Sequence, residues 1–508
     1  PGLTFCGGAD TALLQMSYHR DKVESHQCAA TMLFNANGRN DVPIRIVLII
    51  IMASLLCGCA QVRQTVKQPL SGEGELYLYA EQLPPEAVRL EFIIESIAAI
   101  REDGLTVPLT PQFKKVSTDE IRRQRLFASG ELPPGRYLQL AVTVKEASLL
   151  GEEGKGRLVV PAKPYELRTA FTVRSGKANV ATLALNYREA MAEKISFRPE
   201  FSVNFLPMPL MELSGYVTNR DDNTITVFDR HSGRIGAMIP TGRGPTGMVL
   251  DQARQMAYVA ISGEDALAVL DLKENAIIDR IRLLAGDEPH FVALTPDGKL
   301  AITANKGSNT ASIVDIPART EVARVPVGNG PEYVLMDRTG KRAYVFNRNS
   351  TTISIIDMNR WQVSITLSTE SSPVFGQLNR KGDSLYVFHD LSPYLTMYSL
   401  DSMTMTKRID VGRGTGALKL NPLTDRLYVG SIYGGAINIY DPFTLMAVEF
   451  ILADEGVGYM TIDGEENNLL ALQPRSRLLR LINLVSKRER GVVDTGNNPY
   501  CAVVYSER

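Results

Sequence analysis

A short stretch, Gly215-Tyr216-Val217-Thr218-Asn219, returns in altered form at a nearly constant interval as far as the C-terminus. With Tyr216 as anchor, the equivalents are Tyr258, Ile302, Tyr344, Tyr386, Tyr428 and Leu470, spaced by 42, 44, 42, 42, 42 and 42 residues. A period of this length, built of short apolar runs between turn residues, is the mark of a β-propeller in which each repeat is one four-stranded blade. A chain of 508 residues would ordinarily be read as several domains. The repeat instead gathers most of it into one ring.

Two further positions keep phase with the anchor. Thirteen residues on stand Asp229, Asp271, Asp315, Asp357, Ser399, Asp441 and Asn483, each closing an apolar run. Short oxygen-bearing side chains fit there because they accept hydrogen bonds from the backbone of the turn that follows, which predicts a structural role rather than catalysis. Twenty-nine residues after each anchor stand Pro245, Pro289, Pro331, Pro373, Thr415, Val457 and Pro499, mostly behind a glycine. Here the chain is expected to cross from the outermost strand of one blade to the innermost strand of the next. Asp297-Gly298, Thr339-Gly340 and Lys381-Gly382 then turn the first hairpin. Tyr216 has no Gly-Pro-led strand before it, whereas Tyr500-Cys501-Ala502-Val503-Val504 is such a strand with no anchor after it. One completes the other, so the ring is expected to have seven blades, closed by the C-terminal strand as the innermost strand of the first blade.

The N-terminal region reads as an address. Arg45 precedes an apolar run from Ile46 to Leu56 and then Cys57-Gly58-Cys59-Ala60, the layout of a secretory signal. The run is too short to span a bilayer, which takes roughly 20 residues. Leu56-Cys57-Gly58-Cys59 resembles the bacterial lipobox. That resemblance implies a diacylglyceryl group on Cys59, with Ala60 favouring the outer membrane. The chain begins without methionine, and Met32 is the expected start. Residues 1–58 are therefore assigned to an upstream segment and lipoprotein signal peptide, and 59–72 to a tether. Of the five cysteines only Cys59 and Cys501 survive such processing, so disulfides are not expected to hold the fold.

Residues 73–205 alternate apolar and polar positions in six or seven runs separated by Gly and Pro, which predicts a half-buried antiparallel β-sandwich. The turn Pro133-Pro134-Gly135-Arg136-Tyr137 and the later Ser175-Gly176 resemble those of a bacterial lipoprotein domain family of unknown function. The basic stretch Ile121-Arg122-Arg123-Gln124-Arg125 reads as a solvated loop face. A boundary falls at Pro207-Met208-Pro209, before a propeller domain over 210–508.

With Tyr216-Val217-Thr218-Asn219 intact and variants at Tyr344-Val345-Phe346-Asn347 and Tyr386-Val387-Phe388-His389, the chain resembles the YVTN family of β-propeller proteins. The resemblance implies an all-β fold, an N-terminal sandwich followed by a seven-bladed propeller. Relatives of that fold include surface-layer and secreted binding proteins, lactonases, and domains of denitrification enzymes, so fold alone assigns no reaction.

Residues just after each crossing are expected to ring the mouth of the central channel. Arg243, His290, Asn329, Glu332, Arg413 and Tyr500 are the candidate ligand-binding residues there. His290 and Glu332 occupy equivalent places on adjacent blades, but no third ligand is in phase with them, so no metal is expected. Neither Cys-x-x-Cys-His nor Gly-x-Ser-x-Gly occurs, which excludes covalent c-type haem and the serine nucleophile elbow. No catalytic residue and no cofactor are assigned. A net charge of -1 gives no electrostatic basis for nucleic-acid binding. The sequence thus points to an envelope-anchored binding or scaffold module for a protein or small ligand, an outer-membrane lipoprotein facing the periplasm or the cell surface. The alternative is a lactonase-type hydrolase at the channel mouth.

Overall fold

The structure, a computed structural model, describes residues 67–505 and 507, except 152, 153, 194 and 206–208. The signal region, Cys59 and the first part of the tether lie outside the described residues.

Seven four-stranded antiparallel sheets follow residue 213. In chain order the blades take their second strands from Ser214–Asn219, Met256–Ile261, Leu300–Asn305, Arg342–Asn347, Ser384–His389, Leu427–Ser431 and Asn468–Gln473. The innermost strands are Pro499–Val504 in blade 1, then Pro245–Asp251, Pro289–Leu294, Pro331–Met336, Pro373–Leu378, Thr415–Leu420 and Tyr459–Asp463 in blades 2 to 7. Pro499–Val504 pairs antiparallel with Ser214–Asn219, so the last strand of the chain completes the first blade. It also touches the inner strands of blades 2 and 7, which closes the ring.

The recurring motif has a physical role in each position. Tyr216, Tyr344 and Tyr428 are among the largest fully buried side chains. Thr218 donates to the Thr246 carbonyl (2.7 Å) and accepts from the Cys501 N–H (3.1 Å), which joins blade 1 to blade 2 across the closing strand. The terminal asparagine clips the hairpin ahead of it. Asn219 donates to Thr224 and Thr226, Asn305 to Thr310 and Ser312, and Asn347 to Thr352 and Ser354, all at 2.7–3.1 Å. The aspartates thirteen residues past the anchor cap the outer turns as expected: Asp271 accepts from Lys273 and Glu274 N–H, and Asp441 from Phe443 and Thr444 N–H.

The N-terminal region forms one continuous ten-stranded sheet rather than two separate layers. Its order is Phe201–Phe205, Ala178–Leu185, Gly74–Ala80, Arg125–Leu132, Thr106–Pro111, Leu90–Arg101, Gly135–Gly151 and Gly154–Leu158. Lys115–Val116 and Tyr165–Val173 join at the sides of Leu90–Arg101 and Gly135–Gly151. Thr106–Pro111 bridges the two halves, pairing with both Leu90–Arg101 and Arg125–Leu132. The sheet therefore bends around one core that includes Leu76, Phe92, Phe127, Tyr137 and Phe197.

Strand Gly74–Ala80 is buried along its whole length, not on one face. Leu76, Leu78 and Ala80 face the N-terminal core, while Tyr77 and Tyr79 pack with Val217, Phe228, Ile235 and Met238 of blade 1. The basic stretch also departs from a solvated face. Arg123 and Arg125 reach Asp494 on the outermost strand of blade 7 (3.3 and 3.1 Å), and Gln124 accepts the Ile235 N–H (2.8 Å). Only Arg122 stays well exposed, paired with Asp119. A neighbouring propeller surface was not visible in the local pattern, and it converts these arginines from solvent-facing to interfacial.

Replacing Asn305 by Ala removes two buried hydrogen bonds and strands Thr303, whose hydroxyl donates to the same amide at 2.7 Å. A loss of about 1–3 kcal/mol is expected, read as a lower denaturant midpoint with unchanged slope.

Candidate functional site

The residues just after the crossings are set apart by the backbone itself. In blades 1, 3, 4, 5 and 6 the ladder between the first two strands skips Tyr500, His290, Glu332, Val374 and Gly416, and in blade 2 it skips Thr246 and Gly247. Each is the extra residue of a β-bulge, a device that re-aims a side chain out of the regular pleat. Six of the seven blades thus deliver a position outside the regular ladder at one end of the channel; the ladder of blade 7 has no bulge.

Three of these side chains meet. The Tyr500 hydroxyl lies 2.8 Å from His290 Nδ1, with the rings edge-on, and His290 Nε2 lies 3.6 Å from Glu332. Tyr500 belongs to blade 1 and His290 to blade 3. The small Thr246 and Gly247 of blade 2 let the ring pass between them, and a Cβ on Gly247 would collide with Phe291. Glu332 is gripped at both oxygens by Arg348 Nη1 (2.8 and 2.7 Å), and Arg348 Nη2 reaches Asp390 (2.7 Å). Lys306 Nζ stands 3.7 Å from Glu332. One polar chain, Tyr500–His290–Glu332–Arg348–Asp390, therefore spans four blades.

Its protonation follows from burial and neighbours. His290 is 2% exposed. Burial depresses its pKa to about 4 against the opposing pull of Glu332, and the Lys306 and Arg220 cations push in the same direction as burial. Burial alone would raise Glu332, but His290, Arg348 and Lys306 hold it below the ordinary carboxylate range. Burial and the facing carboxylate push the Tyr500 phenol far up. The resting state is a neutral imidazole between a phenol and a carboxylate: Tyr500 donates to Nδ1 and the Nε2–H points at Glu332. Both groups that could have served as a metal pair are taken by protein partners.

Immediately below lie Phe291, Tyr333, Phe375 and Tyr459, with ring centroids 4.4, 4.1 and 6.2 Å apart in that order. Cys501 is buried beside them, its thiol pushed up to about 12 chiefly by burial. This aromatic layer follows the polar cluster one residue further along the inner strands.

The structure brings together His290, Glu332 and Tyr500. Arg243, Asn329 and Arg413 stand exposed on the crossing loops, and among the described residues none of them hydrogen-bonds to the cluster. Asp287, also on a crossing loop, is fully buried against Arg324 at 2.5 and 2.8 Å and is structural. Arg220, Lys306, Arg348 and Asp390 were missed by sequence reasoning. A signal existed: the position four residues past each anchor reads Arg220, Ser262, Lys306, Arg348, Asp390, Ile432 and Pro474. That second ring makes blades 1, 3, 4 and 5 charged at the mouth and blades 6 and 7 apolar.

Residues 209–422 match the family described as YNCE-like beta-propeller. A comparison with curated proteins finds no match. Among solved structures, hydrazine synthase from Kuenenia stuttgartiensis is similar at 16% identity and a TM-score of 0.47, over 57% of this chain and 94% of that one. A functionally unknown protein from Desulfotomaculum acetoxidans is similar at 13% identity and 0.48, over 56% and 97%. A chain of a mitotic checkpoint complex follows at 12% and 0.45, over 50% and 78%. Likeness at this level carries no functional information.

The depressed imidazole makes a signed prediction. A histidine with a folded pKa near 4 and an unfolded value near 6.5 stabilises the fold fully above about pH 6.5 and loses that contribution as pH falls towards 4. For His290 the loss between pH 8 and pH 5 is roughly 2 kcal/mol. Urea titrations of wild type and His290→Gln should show a smaller loss over that interval in the variant; equal losses would contradict a buried neutral His290.

Proposed function

We propose that this protein is a binding or scaffold propeller that recognises a small polar ligand or a protein loop at the channel mouth, and that it is held at the bacterial envelope by a lipid on Cys59. The observation that carries the binding reading is the Tyr500–His290–Glu332–Arg348–Asp390 chain, assembled from four blades next to an aromatic layer. Its chemistry suits recognition better than turnover. A general base near neutral pH needs a pKa close to the working pH. Here the imidazole is depressed to about 4, and the carboxylate is held low with both oxygens bound to a guanidinium. Such groups keep their protonation and geometry from encounter to encounter, which is what a preorganised recognition surface requires. The lipid anchor rests on the sequence at residues 56–60, and the outer-membrane placement on Ala60. Lys67, the first described residue, hydrogen-bonds through its N–H to the Asp221 carbonyl (3.1 Å) of blade 1.

Two measurements test the two parts. A thermal-shift screen of small polar compounds should return ligands that raise Tm in wild type but not in Tyr500→Phe or Glu332→Gln. Hits that stabilise all three equally would place recognition elsewhere, and turnover of a lactone panel that Glu332→Gln abolishes would favour the hydrolase. Radiolabelled palmitate should enter the wild-type protein in a bacterial host and be absent from Cys59→Ala, and equal labelling would remove the anchor.

A further inference from the structure

A second candidate site lies among residues other than those of the mouth. A cleft of about 870 Å³ lies between the turn that follows Tyr165–Val173 and the outermost strands of blades 1 and 2, Ile235–Pro240 and Ala276–Arg282. Its volume is within the range of ligand sites. Residues 237–240 and 276–280 line it without a gap in sequence. Successive residues of a strand point to opposite faces, so an uninterrupted run means that the strands present their edges to the cleft. Each is the last strand of its sheet, with one row of N–H and C=O groups directed away from its partner strand.

Only the blade 2 edge is usable, and over a short length. In blade 1 Pro209 covers the bulged Gly236, while Ala237, Met238 and Ile239 are buried and Pro240 has no N–H, so that edge offers no run of free donors. In blade 2 the bulge falls at Ile278, and 279–282 runs straight beyond it. Ala237, Ile239, Ala276 and Ile277 give the cleft an apolar floor, and Ile278 is 45% exposed at its side.

The walls are positively charged. Arg280 is paired with Glu264 (3.1 Å) and Asp279 with Arg319 (2.5 Å). Among the described residues lining the cleft, Arg174, Lys177 and Arg282 have no carboxylate partner, against a single unpaired acid, Glu274. Arg174 and Lys177 flank Ser175-Gly176, the turn that stands out in the N-terminal sequence. Gly176 takes φ +68° and its N–H is tied to the Glu73 carbonyl (2.8 Å), which fixes the two cations over the cleft.

A free strand edge, an apolar floor and unpaired cations on two opposite walls match an extended chain better than a compact anion, which would need its donors to converge on one point. We infer that this cleft binds an extended acidic peptide segment, which adds as a short strand to the edge of blade 2 while its carboxylates meet Arg174, Lys177 and Arg282. Strand addition supplies main-chain hydrogen bonds, and the charged walls choose the sequence. This site is independent of the channel mouth.

The probe is a fluorescein-labelled peptide of alternating valine and glutamate, six residues long, titrated with the full chain and read by fluorescence anisotropy. Saturable binding is expected, weakened about tenfold or more by the double variant Lys177→Glu/Arg282→Glu and unchanged by Tyr500→Phe at the mouth. Lys177 and Arg282 are exposed, and an unaltered melting curve checks that the double variant folds. A second peptide with alternate backbone amides N-methylated keeps every charge and loses its donors, so it should bind at least tenfold more weakly. Absence of saturable binding, equal binding of a valine–lysine peptide, indifference to the double variant, or undiminished binding of the N-methylated peptide would each overturn the inference.

Discussion

The pairing of Pro499–Val504 with Ser214–Asn219 is the contact on which the rest of the molecule depends. A propeller blade cannot stand alone, because its faces are apolar and bury only against its neighbours. Without the closing strand, blade 1 would present an open inner edge and blade 7 an uncovered face. The bond network around Thr218 shows how the join is made: one hydroxyl accepts from the closing strand and donates to the inner strand of blade 2. The outermost strand of blade 7, which precedes the closing strand in the chain, carries Asp494 to Arg123 and Arg125, so the N-terminal sheet is held to the last blade as well as to blade 1.

Closure also builds the candidate site. Tyr500 enters the mouth only because the C-terminal strand lies innermost in blade 1, next to the small crossing residues of blade 2. Residues separated by 210 positions in sequence are thereby placed at 2.8 Å. The bulge after the crossing does the aiming. Regular pleating would send the residue after the proline into the space between blades; the skipped ladder position turns it to the axis instead. Six bulged positions with different side chains then yield a mouth whose chemistry is set by which blade carries which residue.

The ring was legible in the sequence because its information is periodic. The spacing of Tyr216 and its equivalents, the capping aspartates and the Gly-Pro crossings are local signals repeated in phase, and they identify strand order, blade count and the closing strand. Half of the site was legible for the same reason, since His290, Glu332 and Tyr500 share one phase. Arg348 and Asp390 share another, but their importance lies in contacts between blades, and a single sequence does not show which side chains meet. Arg243, Asn329 and Arg413 were chosen for the right loops, yet those loops rise outside the polar chain. The N-terminal region was less legible for a related reason. Alternation in Glu75-Leu76-Tyr77-Leu78-Tyr79 distinguishes two faces, but it cannot reveal that the tyrosine face is covered by another part of the chain.

The asymmetry of the mouth bears on what such a ring can recognise. Blades 1, 3, 4 and 5 supply Arg220, Lys306, Arg348 and Asp390, whereas blades 6 and 7 supply Ile432 and Pro474 at the equivalent place. A ligand that met only the charged half would have to displace Arg348 from a bidentate pair with Glu332, leaving a buried carboxylate uncompensated, which is costly. A ligand that met only the apolar half would gain little orientation. Under the proposed binding role, a saturated polar wall beside an apolar one would suit molecules that are polar at one end and apolar at the other and that leave the internal chain unbroken. Specificity in that case comes from the fixed geometry of groups already bonded to each other, and the closing strand is what holds them in place.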